Sequence, residues 1–366
     1  MRTSSLRMLV ALLLALGLSG CPKHSAVPHR APPRERADPR TTMRVHFIDV
    51  GQGDAILFEF PCAAMLVDLG AEKNKVYDGV ENLAEYLAGF FARRPDLVNT
   101  FELVAVTHPH FDHVQGTGLL VGDRSPYRVV HMITDGLESS SGGAEQKRLH
   151  EWAEVRGVHL QKIRLEDLPP ERGLSGAVID PIRCEAVDPK IQVLFSSPGR
   201  QPEDWEKFEY ENINNHSLVL RVDFGATSVL LMGDLEERGV HSLRARLEGS
   251  RLLDADVLKV GHHGSWNATS PELLEAVSPD VAVIMMGKPE REIEWSAWAY
   301  GHPRRNAVER LLSVVHVRRK PVVHVPVATK AKQFEPMWIE RAVYGTGWDG
   351  TVVIEATTTG KPHRVN

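Results

Sequence analysis

The stretch Thr107-His108-Pro109-His110-Phe111-Asp112-His113 puts three imidazoles and a carboxylate within six residues. It directly follows Leu103-Val104-Ala105-Val106, a short apolar run of the kind that forms a buried strand. A cluster of polar side chains therefore sits at a strand's C-terminal end. Upstream, strand patterns at 45–50, 55–60 and 64–68 are separated by Gly51, Gly53 and Pro61, and helical spacing runs over 80–91. Downstream, strands at 129–133 and 158–163 flank a helix at 145–155, and 169–181 fits neither pattern. The second half repeats this logic, with strands at 191–195, 217–222, 228–232, 257–260 and 281–285 among helices at 235–247, 271–277 and 306–315. Short strands near Val322 and Val352 complete it. Such alternation predicts an α/β fold in one domain, two sheets packed together and covered by helices.

The chemistry of the quoted stretch is that of a metal site. Imidazole nitrogen and carboxylate oxygen hold Zn²⁺ at about 2 Å while leaving a position open for water. On an irregular loop alternate side chains point the same way, so His108 and His110 are placed to grip one ion, and Asp112 and His113 a second. Two adjacent ions share a hydroxide whose pKa falls to near 7, a strong nucleophile at neutral pH. Two divalent ions are expected, zinc first, with Mn²⁺ and Fe²⁺ equally able to use these donors.

The pattern His-x-His-x-Asp-His resembles the signature of the metallo-β-lactamase superfamily. That resemblance implies a four-layered αββα sandwich and further ligands in a fixed order at strand ends. His216, in Asn214-Asn215-His216-Ser217-Leu218, is implied for the first site. Asp234, in Leu230-Leu231-Met232-Gly233-Asp234, is implied as the carboxylate bridging both ions. One of His262 and His263, in Val260-Gly261-His262-His263-Gly264-Ser265, is implied for the second site, with a lean toward His263 and the other left to support or touch substrate. Taken singly, His216 reads as an ordinary core or surface histidine and Asp234 as a helix cap; their common order carries the reading. Further segments, His46-Phe47-Ile48-Asp49-Val50-Gly51-Gln52-Gly53-Asp54-Ala55, Met65-Leu66-Val67-Asp68-Leu69-Gly70 and Tyr300-Gly301-His302-Pro303, are similar to the metallo-β-lactamase domain of ComEC-type DNA-uptake proteins and their stand-alone relatives, over about 43–354. That branch often carries aspartate where His110 stands and asparagine where His216 stands. The fuller histidine set implies a competent two-metal site and weakens transfer of the DNA-uptake role. Outside residues 8–20 no apolar stretch is long enough to span a bilayer, so the channel function is not expected here.

Smaller features have two readings each. Asp54 either approaches the metals or belongs to a glycine turn. His302 is assigned a catalytic role, donating a proton to the leaving group or binding a phosphate oxygen, against the alternative of a capping loop. Trp295 and Trp298 either wall the substrate or shield the core. Cys62 and Cys184 either pair in an oxidising compartment or remain free thiols, and free thiols are the favoured expectation.

The N-terminus has a charged start, the apolar run 8–16 and small residues before Cys21, the plan of an export signal over 1–20. Leu18-Ser19-Gly20-Cys21 resembles a bacterial lipobox, which implies lipidation of Cys21; an ordinary cleaved signal is the alternative. Pro22 is not the aspartate of inner-membrane retention, which leaves a periplasmic-facing outer-membrane anchor as the default. Residues 21–42, rich in proline and arginine, read as a tether and 43–366 as the folded domain. The net charge of −5 hides an asymmetry, because the first 43 residues are basic and the body from Arg44 carries −10. An acidic body repels phosphate backbones, so a stable nucleic-acid complex is not expected.

The expected function is metal-dependent hydrolysis with Asp112 and Asp234 at the catalytic centre, on phosphodiesters as the leading substrate class. Carboxylic esters, lactones or β-lactams form a second reading, and a non-catalytic surface lipoprotein a third. An iron redox role lacks a flavin-binding partner domain. Substrate choice is expected to reside in loops at 135–143 and 197–214, which carry no readable code.

Overall fold

The computed structural model describes residues 38–366; the expected signal peptide at 1–20, Cys21 and the tether as far as residue 37 lie outside them. Pro39–Thr41 make one 3₁₀ turn capped by the Asp38 side chain. Strands β1 (Thr42–Phe47), β2 (Ile56–Glu59), β3 (Ala64–Val67), β4 (Thr100–Val106), β5 (Arg128–Thr134) and β6 (His159–Lys162) follow in the first half. The second half supplies β7 (Lys190–Phe195), β8 (Val219–Phe224), β9 (Thr227–Leu231), β10 (Val257–Lys259), β11 (Val281–Ile284), β12 (Arg318–Lys330), β13 (Gln333–Arg341), β14 (Val343–Gly345), β15 (Val352–Thr357) and β16 (His363–Arg364).

One sheet has the order β16-β15-β1-β2-β3-β4-β5-β6 and the other β14-β11-β10-β9-β8-β7. Both change from antiparallel to parallel pairing part-way. β1, β2 and β3 form a meander, after which β3, β4, β5 and β6 are parallel; β7, β8 and β9 repeat the meander before the parallel set β9, β10, β11 and β14. Parallel neighbours need crossovers, and helices such as Gly79–Arg93 and Pro271–Val277 supply them. In open sheets of this kind, binding sites form beyond the carboxyl ends of the strands.

Strand alternation decides the layers. Val45, Phe47, Phe58, Met65 and Val67 share the inter-sheet core with Val193, Leu220, Val222, Val229 and Leu231. The opposite set, Leu57, Leu66, Val104 and Val106, packs on Leu83, Leu87 and Phe90 of helix Gly79–Arg93 and Leu149 of helix Gly143–Arg156. Val240, Leu273, Val308 and Leu311 bring helices Glu237–Arg246, Pro271–Val277 and Arg305–Val314 onto the second sheet. The result is the expected four-layered αββα sandwich. Among the described residues no helix is long and apolar enough to cross a membrane.

Two expectations are corrected. Cys62, in the β2–β3 turn, and Cys184 are disulfide-bonded across 122 residues, with Cα atoms 5.5 Å apart, and are not free thiols. The irregular segment after β6 folds back on that turn, a proximity no spacing reveals. The short strand near Val322 is instead a long hairpin, β12 with β13, set apart from both sheets. Its Val323, Val325 and Val327 alternate inward against the exposed Lys320, Val322 and His324, but Pro321, Pro326 and Pro336 interrupt the run, and proline within a run argues against a long strand.

Candidate metal centre

The C-terminal ends of β3, β4, β9 and β10 each deliver polar side chains to one place, and that of β11 delivers a backbone carbonyl. After β4, Thr107 and His108 lead into the short helix Phe111–Val114, whose first turn carries Asp112 and His113. After β9, Gly233 takes φ +51°, where a Cβ would meet Ser217, and the turn presents Asp234. After β10, His262 and His263 adopt consecutive left-handed backbone conformations, φ +44° and +52°. Such conformations are costly for residues with a Cβ and cluster at functional sites; here they bring His263 under Asp112.

Ligand atoms of Asp112, His113, Asp234 and His263 lie within 4.8 Å of one another. Asp234 Oδ2 is 3.2 Å from both His113 Nε2 and His263 Nε2, and Asp112 Oδ2 is 3.2 Å from His263 Nε2. Outer partners fix which nitrogen faces inward. His113 Nδ1 donates to Asp68 Oδ2 at 2.8 Å, and His263 Nδ1 to the Met285 carbonyl at 2.8 Å. Each Nε2 thus faces the group, the arrangement that outer hydrogen-bond partners impose on ligating histidines. His113 Nε2 is buried and forms no hydrogen bond. A buried, unpartnered imidazole nitrogen among carboxylate oxygens fits a divalent cation.

His108 and His110 stand beside this group. His108 Nε2 lies 3.1 Å from His110 Nδ1, and the His108 ring is centred 4.1 Å from that of His113. Thr107 Oγ1 and Ser217 Oγ contact His108 Nδ1 at 3.2 and 3.3 Å, directing Nε2 toward His110. Burial lowers the pKa of both rings, leaving their lone pairs free near neutral pH.

One of the expected ligands is elsewhere. His216 ends the 3₁₀ turn Ile213–His216, with Nδ1 on Ser197 Oγ at 2.8 Å and Nε2 on the Tyr210 carbonyl at 2.6 Å. With both nitrogens engaged it does not complete the first site, and Ser217 meets His108 instead. Of the adjacent pair, His263 enters the group while His262 Nδ1 points to Glu236 Oε1 at 3.0 Å. His302 lines the same cavity beside the group, its ring centred 5.9 Å from that of His263 and its Nδ1 3.1 Å from Gln52 Nε2.

The electrostatics rest on a residue that motif reading passed over. Lys259, the last residue of β10, is fully buried; its ammonium is in ion-pair contact with Asp54, 3.5 Å from Asp234 Oδ1 and 2.8 Å from the Gly233 carbonyl. Burial alone would lower its pKa, but Asp54 and Asp234 hold it up. Burial would likewise raise Asp234, yet His263, His113 and Lys259 keep it well below the usual carboxylate range. A lysine closing an otherwise apolar strand was the visible signal. Asp54 reaches the centre through Lys259 and also stands 3.5 Å from His263 Nδ1 and 3.9 Å from His113 Nδ1.

A cavity of about 530 Å³ opens over the group, walled by Phe111, Gln115, Trp295, Tyr300 and His302. Trp295 holds a left-handed backbone (φ +63°) with its indole exposed at the mouth. Trp298 stands off the cavity, stacked under the Lys332 ammonium. Ser141 and Asn214 bring both expected specificity loops to the rim.

Comparison with known proteins agrees with this geometry. The family model described as metallo-beta-lactamase superfamily matches residues 49–288. ComE operon protein 3 of Bacillus subtilis is 26% identical over 279 residues, 73% of this chain and 30% of the relative. The competence protein ComA of Neisseria gonorrhoeae is 39% identical over 239 residues, 62% of this chain and 32% of the relative. The chain thus spans about a third of the length of these relatives. Among solved structures, the metallo-beta-lactamase fold protein YhfI from Bacillus subtilis aligns with a TM-score of 0.40 at 13% identity, covering 75% of this chain and 94% of that one. Because the matched region takes in the loop after β4 as well as the strand ends that carry Asp234 and His263, the chain belongs to the metallo-β-lactamase superfamily.

Proposed function

We propose that this superfamily hydrolase cleaves phosphodiesters with two divalent metal ions. The observation that carries the reading is the inward-facing, unpartnered His113 Nε2 within 4.8 Å of three other donors. Asp112, His113, Asp234 and His263 would hold one ion, and His108 and His110, with Asp234 between, the other. When bound, a metal pair activates water and stabilises both the entering and leaving oxygens of an in-line displacement, chemistry suited to a phosphodiester.

The chain's own groups do the rest. Asp68 and the Met285 carbonyl fix two imidazoles in the ligating tautomer. His263, His113 and Lys259 together keep Asp234 ionised despite its burial. Phe111 and Trp295 narrow the cavity mouth and limit water entry. Burial, with His262 and His263 nearby, holds the His302 pKa well below its usual value, so that ring is neutral near neutral pH. It therefore serves as a hydrogen-bonding group to substrate oxygen and does not deliver a proton as an imidazolium.

The acidic body, −10 from Arg44 onward, favours a small or neutral ester over a long polyanion and keeps the second reading alive. The proposal also places the protein outside the cytoplasm, lipid-anchored at Cys21. The Cys62–Cys184 disulfide supports an oxidising compartment.

Metal content by plasma mass spectrometry, read beside hydrolysis of bis(p-nitrophenyl) phosphate, single-stranded DNA and nitrocefin, tests the function. Expected are about two metals per chain and phosphodiester turnover that Asp112→Ala and Asp234→Ala abolish. Turnover of nitrocefin alone moves the assignment to lactams. No metal uptake after supplementation leaves the non-catalytic lipoprotein. Membrane fractionation of a Cys21→Ala variant tests the anchor, and continued membrane association would refute it.

A further inference from the structure

We propose that Gln52 is a positioning residue that holds His302 in the tautomer bearing its proton on Nε2, presenting a fixed N–H donor to a substrate oxygen in the cavity. The proposal rests on the hydrolase reading above and adds a determinant that the ligand set does not contain.

The argument starts with the orientation of one amide. Gln52 is only 3% exposed, and its side-chain oxygen accepts from the Gly287 backbone N–H at 3.4 Å. A backbone N–H can only donate, so the amide oxygen must face Gly287 and the amide nitrogen must face His302. That nitrogen in turn can only donate. His302 Nδ1, 3.1 Å away, must therefore present a lone pair, which leaves the ring proton on Nε2. The ring makes no other side-chain hydrogen bond among the described residues, and it lines the cavity with Asp112, Asp234 and His263.

The surroundings hold Gln52 rigidly. Its backbone N–H donates to Glu72 Oε2 at 3.0 Å, and Glu72, itself buried, also accepts from Asn74 at 2.7 Å and Arg291 at 2.6 Å. The Arg291 guanidinium lies 3.6 Å over the Tyr77 ring. Two glycines permit this close assembly. A Cβ on Gly51 would stand 2.6 Å from Glu72 and Tyr77, and one on Gly287 would stand 2.5 Å from Glu72 Oε2. His302 is held from the other side by Tyr300, with ring planes 22° apart, and by the edge of His262 at 5.3 Å. An ordered chain thus runs from a buried carboxylate through Gln52 to one imidazole, and ends on an N–H in a cavity. A preplaced neutral donor of this kind stabilises charge that builds up on a substrate oxygen without reorganising during reaction.

Long-range ¹H–¹⁵N spectra of the zinc-loaded full chain, labelled at histidine, read the tautomer directly, with His302→Phe identifying the resonances. The wild type is expected to carry its His302 proton on Nε2. Gln52→Glu places an acceptor opposite Nδ1 and is expected to move the proton there, with a loss on the order of 100-fold in kcat for bis(p-nitrophenyl) phosphate and little change in KM. Gln52→Asn, too short to reach both Gly287 and His302, is expected to give mixed tautomers and a smaller loss. A wild-type proton on Nδ1, or an Nε2 proton retained in both variants, overturns the proposal. A tautomer that moves as expected in a protein that cleaves no phosphodiester refutes the substrate reading and leaves the positioning role standing.

Discussion

Replacing Asp68 with asparagine changes one atom, the hydrogen-bond partner of the Nδ1 that lies two bonds from the inward-facing nitrogen of His113. Asp68 Oδ1 accepts from the Thr107 backbone N–H at 2.7 Å, and Oδ2 accepts from Thr107 Oγ1 and His113 Nδ1, both at 2.8 Å. An asparagine must keep its single oxygen toward the backbone N–H, which can only donate, and its NH₂ then meets His113 Nδ1. That contact is tolerated only if Nδ1 gives up its proton, which transfers to Nε2 and points at Asp234 Oδ2, 3.2 Å away. A metal must then displace a proton from the wrong nitrogen. Losing such a partner typically weakens metal affinity by about 10- to 100-fold, which is about 1.4–2.8 kcal/mol. Equilibrium dialysis against buffered zinc, with bound metal counted by plasma mass spectrometry and folding followed by circular dichroism, gives the number. A folded Asp68→Asn protein that binds zinc as tightly as the wild type would refute the reasoning.

Lys259→Met leaves Asp54 and Asp234 without their buried cation and is expected to cost about 3–5 kcal/mol of stability in chelator-treated protein; an unchanged denaturation midpoint would rule out its charge-balancing role. His216→Ala should retain near wild-type metal content and His263→Ala should lose most of it, because His263 turns Nε2 onto the carboxylates of the group whereas His216 spends both nitrogens outside it; equal losses would contradict the geometry. Cys184→Ser opens a loop of 122 residues and is expected to destabilise by up to about 5 kcal/mol in the chain-entropy picture. Reductant should lower the melting temperature of the wild type and leave the variant unmoved. Burial lifts the Asp135 carboxyl to about 7, whereas the unfolded chain releases that proton near 3.8. Its stabilising contribution is therefore complete below about pH 4 and falls as pH rises toward 7, by up to ~1.4 kcal/mol per unit. Asp135→Asn should flatten that part of a melting-temperature profile, and parallel profiles would show that Asp135 is not responsible.

What was legible in the sequence was local. Two sheets covered by helices followed from strand and helix periods, the αββα order from the family resemblance, and the loop after β4 declared itself because four donors crowd six residues. His216 was misplaced because motif order fixes a segment but not the turn within it. The 3₁₀ turn aims that imidazole at Tyr210 and hands the inward position to Ser217, one residue on. Asp68 was quoted as part of a motif without a role, since its work depends on β3 lying beside β4. Gln52 and Cys184 depend on partners more than a hundred residues away, and neither composition nor period carries that information. The β12–β13 hairpin was read too short for a different reason, because Pro321, Pro326 and Pro336 punctuate a pair whose apolar alternation would otherwise mark it.

The placement of Lys259 against Asp54 has a mechanical consequence. Asp54 belongs to the first half of the sandwich and Lys259 to the second, as do Asp112 and His113 against Asp234 and His263. The centre is one rivet line between the two halves, which apolar packing and the contacts of Gln52 with His302 and of Glu72 with Arg291 also join, and part of it, the ammonium–carboxylate contact, needs no metal. A metal at 100 times its dissociation constant would add about 2.7 kcal/mol to the hold. Loading should then slow amide exchange chiefly along the ends of β4, β9 and β10 that meet at the cavity and leave the far edges near β6 and β16 as they were, so that the rim of the cavity, which must part for substrate, is the region stiffened by the ion that acts there.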